Sequence, residues 1–364
     1  MNIRAAACAV ALLLLIVVPA RGETASADDT ARFLAGLEPP AASPLTPLTS
    51  DRRWLSHKKH FDSVFAQFDK RHLAKIRAWS AANLTTRRPV MFYMFSGPDF
   101  LHADAFFPEA TTYVMAGLEP VGQIPVADLR PASVAQLRGL GTALRSMLGF
   151  SFFITRDMRA QFRGGTLPIL YVLLARSHKT IQEVSLIALN DRGEIQPDGA
   201  SRAKTDVRGA QIVFSDADGR KKTLYYFSVD LSNSGVKRNG ILKFAGQLGE
   251  GDSLIKSASY LLHSDGFSTV RSFLLDHSAS IVQDDSGVPV RYFNEANWQL
   301  RPFGHYLHPI SIFARYRQPK LSDVFRKERA VPIDFGIGYT WRPRQSNLLV
   351  AQSRRANGAR TGGQ

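Results

Sequence analysis

Acidic and hydroxyl side chains follow three segments of this sequence that are apolar enough to be buried strands. Ser96 and Asp99 follow Val90–Phe95, Glu119 follows Thr111–Ala116, and Asp284, Asp285 and Ser286 follow Ala279–Gln283. In open α/β sheets ligands bind outside the carboxyl ends of the strands, because loops and helix N-termini converge there. The sequence therefore predicts that these side chains share one crevice. Clustered carboxylates could bind a cation there, share a proton, or hold a sugar or an amine.

His102 places a further ligand-type side chain next to this crevice. In the motif Asp99-x-x-His102-x-Asp104, residues three apart face the same side of a helix, so Asp99 and His102 could chelate together. The alternative is structural: Asp99 caps an ordinary surface helix, and Asp284–Gly287 is an ordinary turn. The sequence leaves both interpretations open, and it identifies neither a cofactor nor a metal.

Familiar catalytic motifs do not settle whether the protein is an enzyme. The sequence contains no His-Glu-x-x-His, Gly-x-Ser-x-Gly, P-loop or Gly-x-Gly-x-x-Gly, and its Ser-x-x-Lys segments lack the accompanying penicillin-recognition motifs. We interpret the pair His57/His60 as part of a solvated face and the pair His305/His308 as packed side chains. The spacing from Ser96 to Glu119 is similar to that between the first loop and the ribose-binding acid of a nucleotide fold, but the glycines are missing.

Met1–Gly22 has the pattern of a secretory signal peptide. Arg4 precedes an apolar run, Ala5–Val18, which ends at Pro19 and is followed by small residues. The run is shorter than the roughly 20 residues that span a bilayer. No later stretch is long and apolar enough to do so. The sequence thus predicts a periplasmic or secreted protein, in a compartment where nucleotide cofactors such as NAD or ATP are generally not available.

The composition is that of a globular protein with uneven charge. Of 364 residues, 45% are hydrophobic and one is cysteine, which excludes disordered, collagen-like and disulfide-stapled classes. The net charge of +15 comes from the flanks, because residues 91–300 carry 21 basic and 21 acidic side chains. Residues 51–90 hold 10 basic and 3 acidic side chains, and residues 301–364 hold 12 and 3. Nucleic-acid binding is not expected, since no recognised module is present.

The predicted fold is α/β, with a partly parallel sheet, a Rossmann-like βαβ start and an inserted antiparallel hairpin region. The predicted domains are the signal peptide, a Pro/Ala-rich linker over 23–53, a globular domain over 54–350 and a disordered basic tail over 351–364. A hairpin region at 181–231 could form a subdomain of the globular part. Helices are predicted at Trp54–Trp79, Leu137–Met147, Phe152–Phe162, Ser253–His263 and Phe267–His277, and strands at Ile181–Leu189, Gln211–Ser215 and Thr223–Val229.

Four segments carry a resemblance to known sequences: Phe95–Phe100 (FSGPDF), Ala103–Pro108 (ADAFFP), Gly117–Pro120 (GLEP) and Gln283–Gly287 (QDDSG). They resemble an uncharacterised group of exported bacterial proteins that has no assigned activity. The resemblance implies an exported protein and a shared fold over most of residues 54–350. It brings no catalytic residue to transfer.

These observations are consistent with two alternative functions. The first is an exported protein that binds a small polar ligand or a cation at the acidic strand ends. The second is a non-enzymatic envelope protein whose basic flanks contact anionic surface polymers or lipid headgroups.

Overall fold

A ten-stranded mixed sheet forms the centre of the computed structural model, which describes residues 24–85, 87–125, 131–150, 164–199 and 206–355. The strand order is β4-β3-β5-β6-β2-β1-β7-β8-β10-β9. The strands are β1 Val90–Tyr93, β2 Thr112–Gly117, β3 Thr180–Leu189, β4 Ile195–Pro197, β5 Val207–Ser215, β6 Lys221–Ser228, β7 Gly251–Ile255, β8 Ser278–Gln283, β9 Trp298–Gly304 and β10 Asn347–Ser353.

Ten α-helices accompany the sheet in the described part of the chain. They are α1 Ala27–Leu34, α2 Arg52–Phe68, α3 Ala74–Asn83, α4 Phe100–Phe106, α5 Pro131–Phe150, α6 Leu167–Arg176, α7 Asn233–Val236, α8 Ile241–Gln247, α9 Ser268–His277 and α10 Pro319–Lys327. A π-helical turn, Asp69–Leu73, joins α2 to α3.

Both faces of the sheet are covered, and β1 shows why. Successive side chains of a strand point to opposite faces, so an unbroken apolar strand needs two cores. Met91 and Tyr93 lie in the core formed with α1 to α6, whereas Phe92 and Met94 lie in the core formed with α7 to α9. The result is a helix–sheet–helix sandwich.

Five central strands, β6-β2-β1-β7-β8, are mutually parallel. Taken in chain order, they stand third, second, first, fourth and fifth across the sheet. The strands β2 and β6 are thus added on one side of β1, and β7 and β8 on the other side. The order of the strands therefore reverses between β1 and β7. In doubly wound sheets such a reversal opens a crevice at the carboxyl ends of the two diverging strands, because their connections leave on opposite faces.

The α/β class and the partly parallel sheet are confirmed. In two places the structure differs from the prediction. The segment read as the linker over 23–53 contains α1, whose Phe33 and Leu34 are buried in the core. The segment read as helix Ser253–His263 begins with β7, a central parallel strand.

Other boundaries also shift. Strands β3, β5 and β6 of the 181–231 region continue the main sheet, since β6 pairs with β2. The tail read over 351–364 includes the end of β10, which runs to Ser353. The signal peptide, the helix Phe152–Phe162 and residues 356–364 of the tail lie outside the described residues. Within the described residues, no helix has the length and apolarity needed to cross a membrane.

Asp252 is a buried carboxylate inside β7. Its oxygens accept hydrogen bonds from the Ser280 hydroxyl at 2.6 Å and from the Arg88 backbone N–H at 2.9 Å. Burial raises the pKa of Asp252 to about 6 despite these donors. The side chain thus ties β7 to β8 and to the segment that enters β1, at the cost of desolvating a carboxylate.

Replacing this carboxylate should change how stability depends on pH. The folded-state pKa lies above the ordinary value of 3.8, so this group's contribution to stability is present below about pH 4 and is lost as pH rises through about 6. Asp252→Asn, which keeps an acceptor for Arg88, should therefore gain about 2–3 kcal/mol in unfolding free energy relative to the parent between pH 4 and pH 8. Urea unfolding across this pH range measures the difference. Asp191→Asn at an exposed turn is the control, and a pH-independent difference for Asp252→Asn would contradict the assignment.

Candidate functional site

A cavity of about 550 Å³ opens at the carboxyl ends of β1, β2, β6 and β7. Its volume falls in the range of small-molecule sites. The polar lining side chains are Ser96, Asp99, Glu119, Asp230, Lys256, Ser257 and Ser259, and the apolar or aromatic ones are Tyr93, Phe95, Leu118, Val229, Leu231, Ala258, Leu261, Phe267, Ile310, Ile312, Phe313 and Tyr339. A polar floor and an apolar wall therefore face the same space.

The floor is built around a buried ion pair between Asp99 and Lys256. Lys256 Nζ lies 2.9 Å from Asp99 Oδ2, and both side chains are almost fully buried. The Tyr93 hydroxyl donates to the same oxygen at 3.0 Å, and His102 Nδ1 lies 2.8 Å from Asp99 Oδ1. Asp99 follows β1 and Lys256 follows β7, so the pair bridges the two strands at which the sheet reverses.

The charges of this cluster favour an ionised Asp99. Burial opposes ionisation, but the neighbouring His102 and Lys256 hold the pKa of Asp99 well below its usual range. Burial also lowers the pKa of His102, and its Nδ1 lies within hydrogen-bond distance of the carboxylate, to which an Nδ1–H donates. Burial and the Asp99 charge raise the pKa of Tyr93 well above its ordinary value, so its hydroxyl remains a donor.

Glu119 stands beside this floor at the end of β2. Only 6% of the residue is exposed, and no described side chain forms a salt bridge with it. A Cβ on Gly117 would lie 2.4 Å from Glu119 Oε2, and one on Gly97 would lie 3.5 Å from it. Glycine at position 117 therefore makes room for the carboxylate, whereas a Cβ on Gly97 would only contact it. Gly97 also has φ +52°, a conformation that glycine adopts without strain.

The turn after β7 forms another side of the cavity. Ser257, Ser259 and Tyr260 all have positive φ, between +51° and +54°, as does Phe95 at the end of β1, with φ +66°. Such residues are uncommon outside glycine, and they cluster at functional sites. The buried Ser257 Oγ has no hydrogen-bond partner among the described residues.

Asp284, Asp285 and Ser286 hold that turn in place. Asp284 Oδ2 accepts from the Ser257 N–H at 2.9 Å, and Ser286 Oγ accepts from the Ala258 N–H at 2.8 Å. The Tyr260 hydroxyl donates to Asp285 at 2.6 Å. Burial and the adjacent Asp285 raise the pKa of Asp284 above its ordinary value.

The long connection between β9 and β10 provides the outer wall. Ile310, Ile312, Phe313 and Tyr339 line the cavity from this segment. The Tyr339 hydroxyl donates to the Ser257 carbonyl at 2.9 Å, which fastens the wall to the turn after β7.

The structure brings some of the sequence-predicted residues together and separates others. Ser96, Asp99 and Glu119 line the cavity, as the shared crevice requires. His102 is buried beneath it as a partner of Asp99. Asp284, Asp285 and Ser286 are not among the lining residues and instead support the turn. Asp99 also accepts from the His102 N–H, as a cap of α4 would.

Among the polar lining residues, the sequence did not predict Asp230, Lys256, Ser257 and Ser259. Lys256 and Ser257 follow β7, a segment for which the sequence predicts a helix, so their position at a strand end could not be predicted. Asp230 follows β6 directly, and the acid after a predicted strand was the available signal. It has the same form as the signal that identified Glu119.

No group of three or more histidine, cysteine, aspartate or glutamate side chains suited to a metal ion occurs in the described part of the chain. Searches against protein-family models, curated proteins and solved structures found no match for this chain.

The Asp99–Lys256 pair should be strongly coupled in stability. Removing one partner of a buried ion pair costs about 3–5 kcal/mol, because the other charge stays in a dry site. Lys256→Met and Asp99→Asn should each be destabilised on this scale, and the double variant by much less than their sum. A double-mutant cycle measured by urea unfolding gives the coupling. The exposed pair Arg53–Asp51 is the control and should show little coupling. Additive losses at Asp99 and Lys256 would contradict the assignment.

Proposed function

We propose that the protein is an exported bacterial binding protein for a small organic ligand, which it holds in the cavity at the carboxyl ends of the parallel strands. The observation that carries this proposal is the buried Glu119 carboxylate, which faces a cavity of about 550 Å³ without a basic partner among the described residues. Burying a carboxylate is costly unless hydrogen bonds satisfy its oxygens. A ligand that donates hydrogen bonds would lower this cost.

The lining indicates the character of the ligand. Among the described residues, three carboxylates and one lysine line the cavity, which favours a neutral or cationic polar group beside them. The lining also offers aromatic surface from Phe95 and Phe267, with ring centroids 6.0 Å apart, and from Phe313 and Tyr339, 5.1 Å apart. A molecule with a hydrogen-bond-donating end and a flat apolar part fits both sides.

Export is part of the same proposal. The pattern of Met1–Gly22 supports it, as does the resemblance to exported bacterial proteins. Two of the segments that carry the resemblance, Phe95–Phe100 and Gly117–Pro120, contribute lining residues, and Gln283–Gly287 holds the turn behind them.

Blocking the cavity should abolish ligand binding without unfolding the protein. Leu118 lines the cavity and is 54% exposed, whereas Leu307 is 56% exposed and lies outside it. In a thermal-shift screen of small metabolites, binders should raise the parent's midpoint, since a ligand specific for the folded state stabilises it. Leu118→Trp should lose these shifts and Leu307→Trp should retain them. Equal shifts for both variants, or no binder for the parent, would contradict the proposal.

A second candidate function has its own support in the arrangement of the basic flanks. Lys75 Nζ lies 2.8 Å from the Asp334 carbonyl, Arg301 contacts Asn83 at 3.3 Å, and the Trp79 ring packs on Phe303. The two basic segments of the sequence thus fold against each other. Residues 301–322 contain no acidic side chain. We propose that this face contacts anionic polymers or lipid headgroups of the envelope.

Neutralising this face should weaken binding to anionic vesicles. Arg315, Arg317 and Lys320 are exposed within the acid-free run, so changing all three to Gln should lower binding to phosphatidylglycerol vesicles severalfold. Parent binding should itself fall as salt rises. Co-sedimentation measures both effects, with Lys221, Lys237 and Lys243 changed to Gln as the matched control. Binding that is insensitive to salt and to the first triple variant would contradict this candidate.

A further inference from the structure

The acidic side of the cavity occupies the position of a ribose-binding site in a doubly wound sheet. The five parallel strands stand in the order third, second, first, fourth, fifth, which is the order of dinucleotide-binding folds. In those folds, an acid at the end of the second strand, about 20 residues past the first loop, accepts hydrogen bonds from ribose hydroxyls. Glu119 follows the second parallel strand, β2, and lies 22 positions after Gly97 of the first loop.

The surroundings of Glu119 suit a diol. An ionised carboxylate has two oxygens that only accept, and vicinal hydroxyls present two donors. Gly97 lines the cavity beside this carboxylate and carries no Cβ, so a sugar ring can approach the strand ends closely.

The helix that follows β1 is not available to a phosphate. In dinucleotide-binding folds the pyrophosphate sits at the N-terminus of this helix, where backbone N–H groups point outward. Here the Asp99 carboxylate occupies that end of α4 and accepts from the His102 N–H. With Glu119 and Asp230 also on the lining, a phosphate dianion would face three carboxylates and, among the described lining residues, one lysine, Lys256, which is paired with Asp99.

Asp230 provides a second acceptor at the end of the third parallel strand, β6. Its two oxygens accept from the N–H and the hydroxyl of Ser232, both at 2.9 Å, and each oxygen keeps further acceptor capacity. An acceptor-only group at the cavity rim favours a base with an exocyclic amine over one with a carbonyl at that position. The aromatic wall supplies surfaces on which a base can stack.

We infer that the cavity takes an adenine-type nucleoside with a free ribose diol and no phosphate. The inference rests on the proposed function, because it names the ligand class for the same cavity. The ribose lies against Glu119, the exocyclic amine faces Asp230, and the base packs on the aromatic wall. Such a ligand is uncharged or cationic, which matches a lining with more carboxylates than basic groups.

Isothermal titration of the full chain with three nucleosides and one nucleotide tests the inference. Adenosine should bind, and 2′-deoxyadenosine should bind at least about tenfold more weakly, because a hydrogen bond to a buried charge is lost. AMP should also bind at least about tenfold more weakly, because its phosphate meets the lining carboxylates. Inosine, with a carbonyl in place of the exocyclic amine, should be weaker than adenosine.

Matched variants locate the contacts. Glu119→Gln should weaken adenosine binding and reduce the preference over 2′-deoxyadenosine, while Glu183→Gln, at an exposed position of β3, should change neither. Asp230→Asn should reduce the preference over inosine. If Glu119→Gln does not fold, the ligand preferences of the parent still decide the question.

The outcomes separate this inference from the proposed function. Metabolites that bind and are blocked by Leu118→Trp, with no response to adenosine, would overturn the nucleoside inference and leave the binding function standing. AMP binding as tightly as adenosine, or adenosine binding that ignores Glu119→Gln, would also overturn it. The absence of any cavity ligand would overturn both.

Discussion

The buried ion pair between Asp99 and Lys256 is the contact on which the organisation of the site depends. It joins the segments that leave β1 and β7, the two strands at which the direction of the sheet reverses. At such a reversal the connections depart on opposite faces and leave a gap between them. An attraction across the gap fixes the two loops relative to each other. A buried charged pair is stable only if its other hydrogen-bonding groups also have partners. Tyr93 and His102 are these partners for Asp99.

Hydrogen bonds to polar groups behind the cavity hold the turn after β7 in a strained backbone conformation, and this turn shapes the cavity. Three residues of the turn after β7 have positive φ, a conformation that costs about 1–3 kcal/mol for each residue when it is not favoured by local contacts. Hydrogen bonds from this turn to Asp284 and Ser286, and the Tyr260–Asp285 bond, hold it in that conformation. The acidic end of β8 therefore determines the shape of the lining without forming part of it.

The sequence predicted the parts of this site that follow unbroken apolar strands. Asp99 and Glu119 could be predicted at neighbouring strand ends because the segments before them, Val90–Phe95 and Thr111–Ala116, are apolar runs of strand length. Strand β7 could not be found in this way. Its Asp252 and Ser253 are buried but polar, and they are satisfied by Ser280 and Ser278 on the neighbouring strand, partners that lie more than 20 residues away in the chain. Without β7, Lys256 had no predicted position.

Helix α1 was missed for a related reason. The segment 23–53 is rich in proline and alanine, and α1 has only eight residues, so its apolar spacing is too short to stand out. Its burial depends on α6 and β3, which are distant in sequence. In contrast, α9 and β8 agree with their predicted ranges because each contains its own periodic signal and ends at a turn.

The antiparallel edge of the sheet explains why a basic, partly apolar segment lies over an acidic cavity. Strand β10 is antiparallel to β8, and β9 is antiparallel to β10, so β9 runs in the same direction as the parallel core. The carboxyl end of β9 therefore reaches the same edge as those of β1, β7 and β8. The connection from β9 to β10 must cross that edge, and it contributes Ile310, Phe313 and Tyr339 to the wall. Its outward side carries Arg315 and Arg317. This connection thus lies between the acidic lining of the cavity and a basic outer surface. The positive net charge of the chain reflects the outer surface and not the cavity lining.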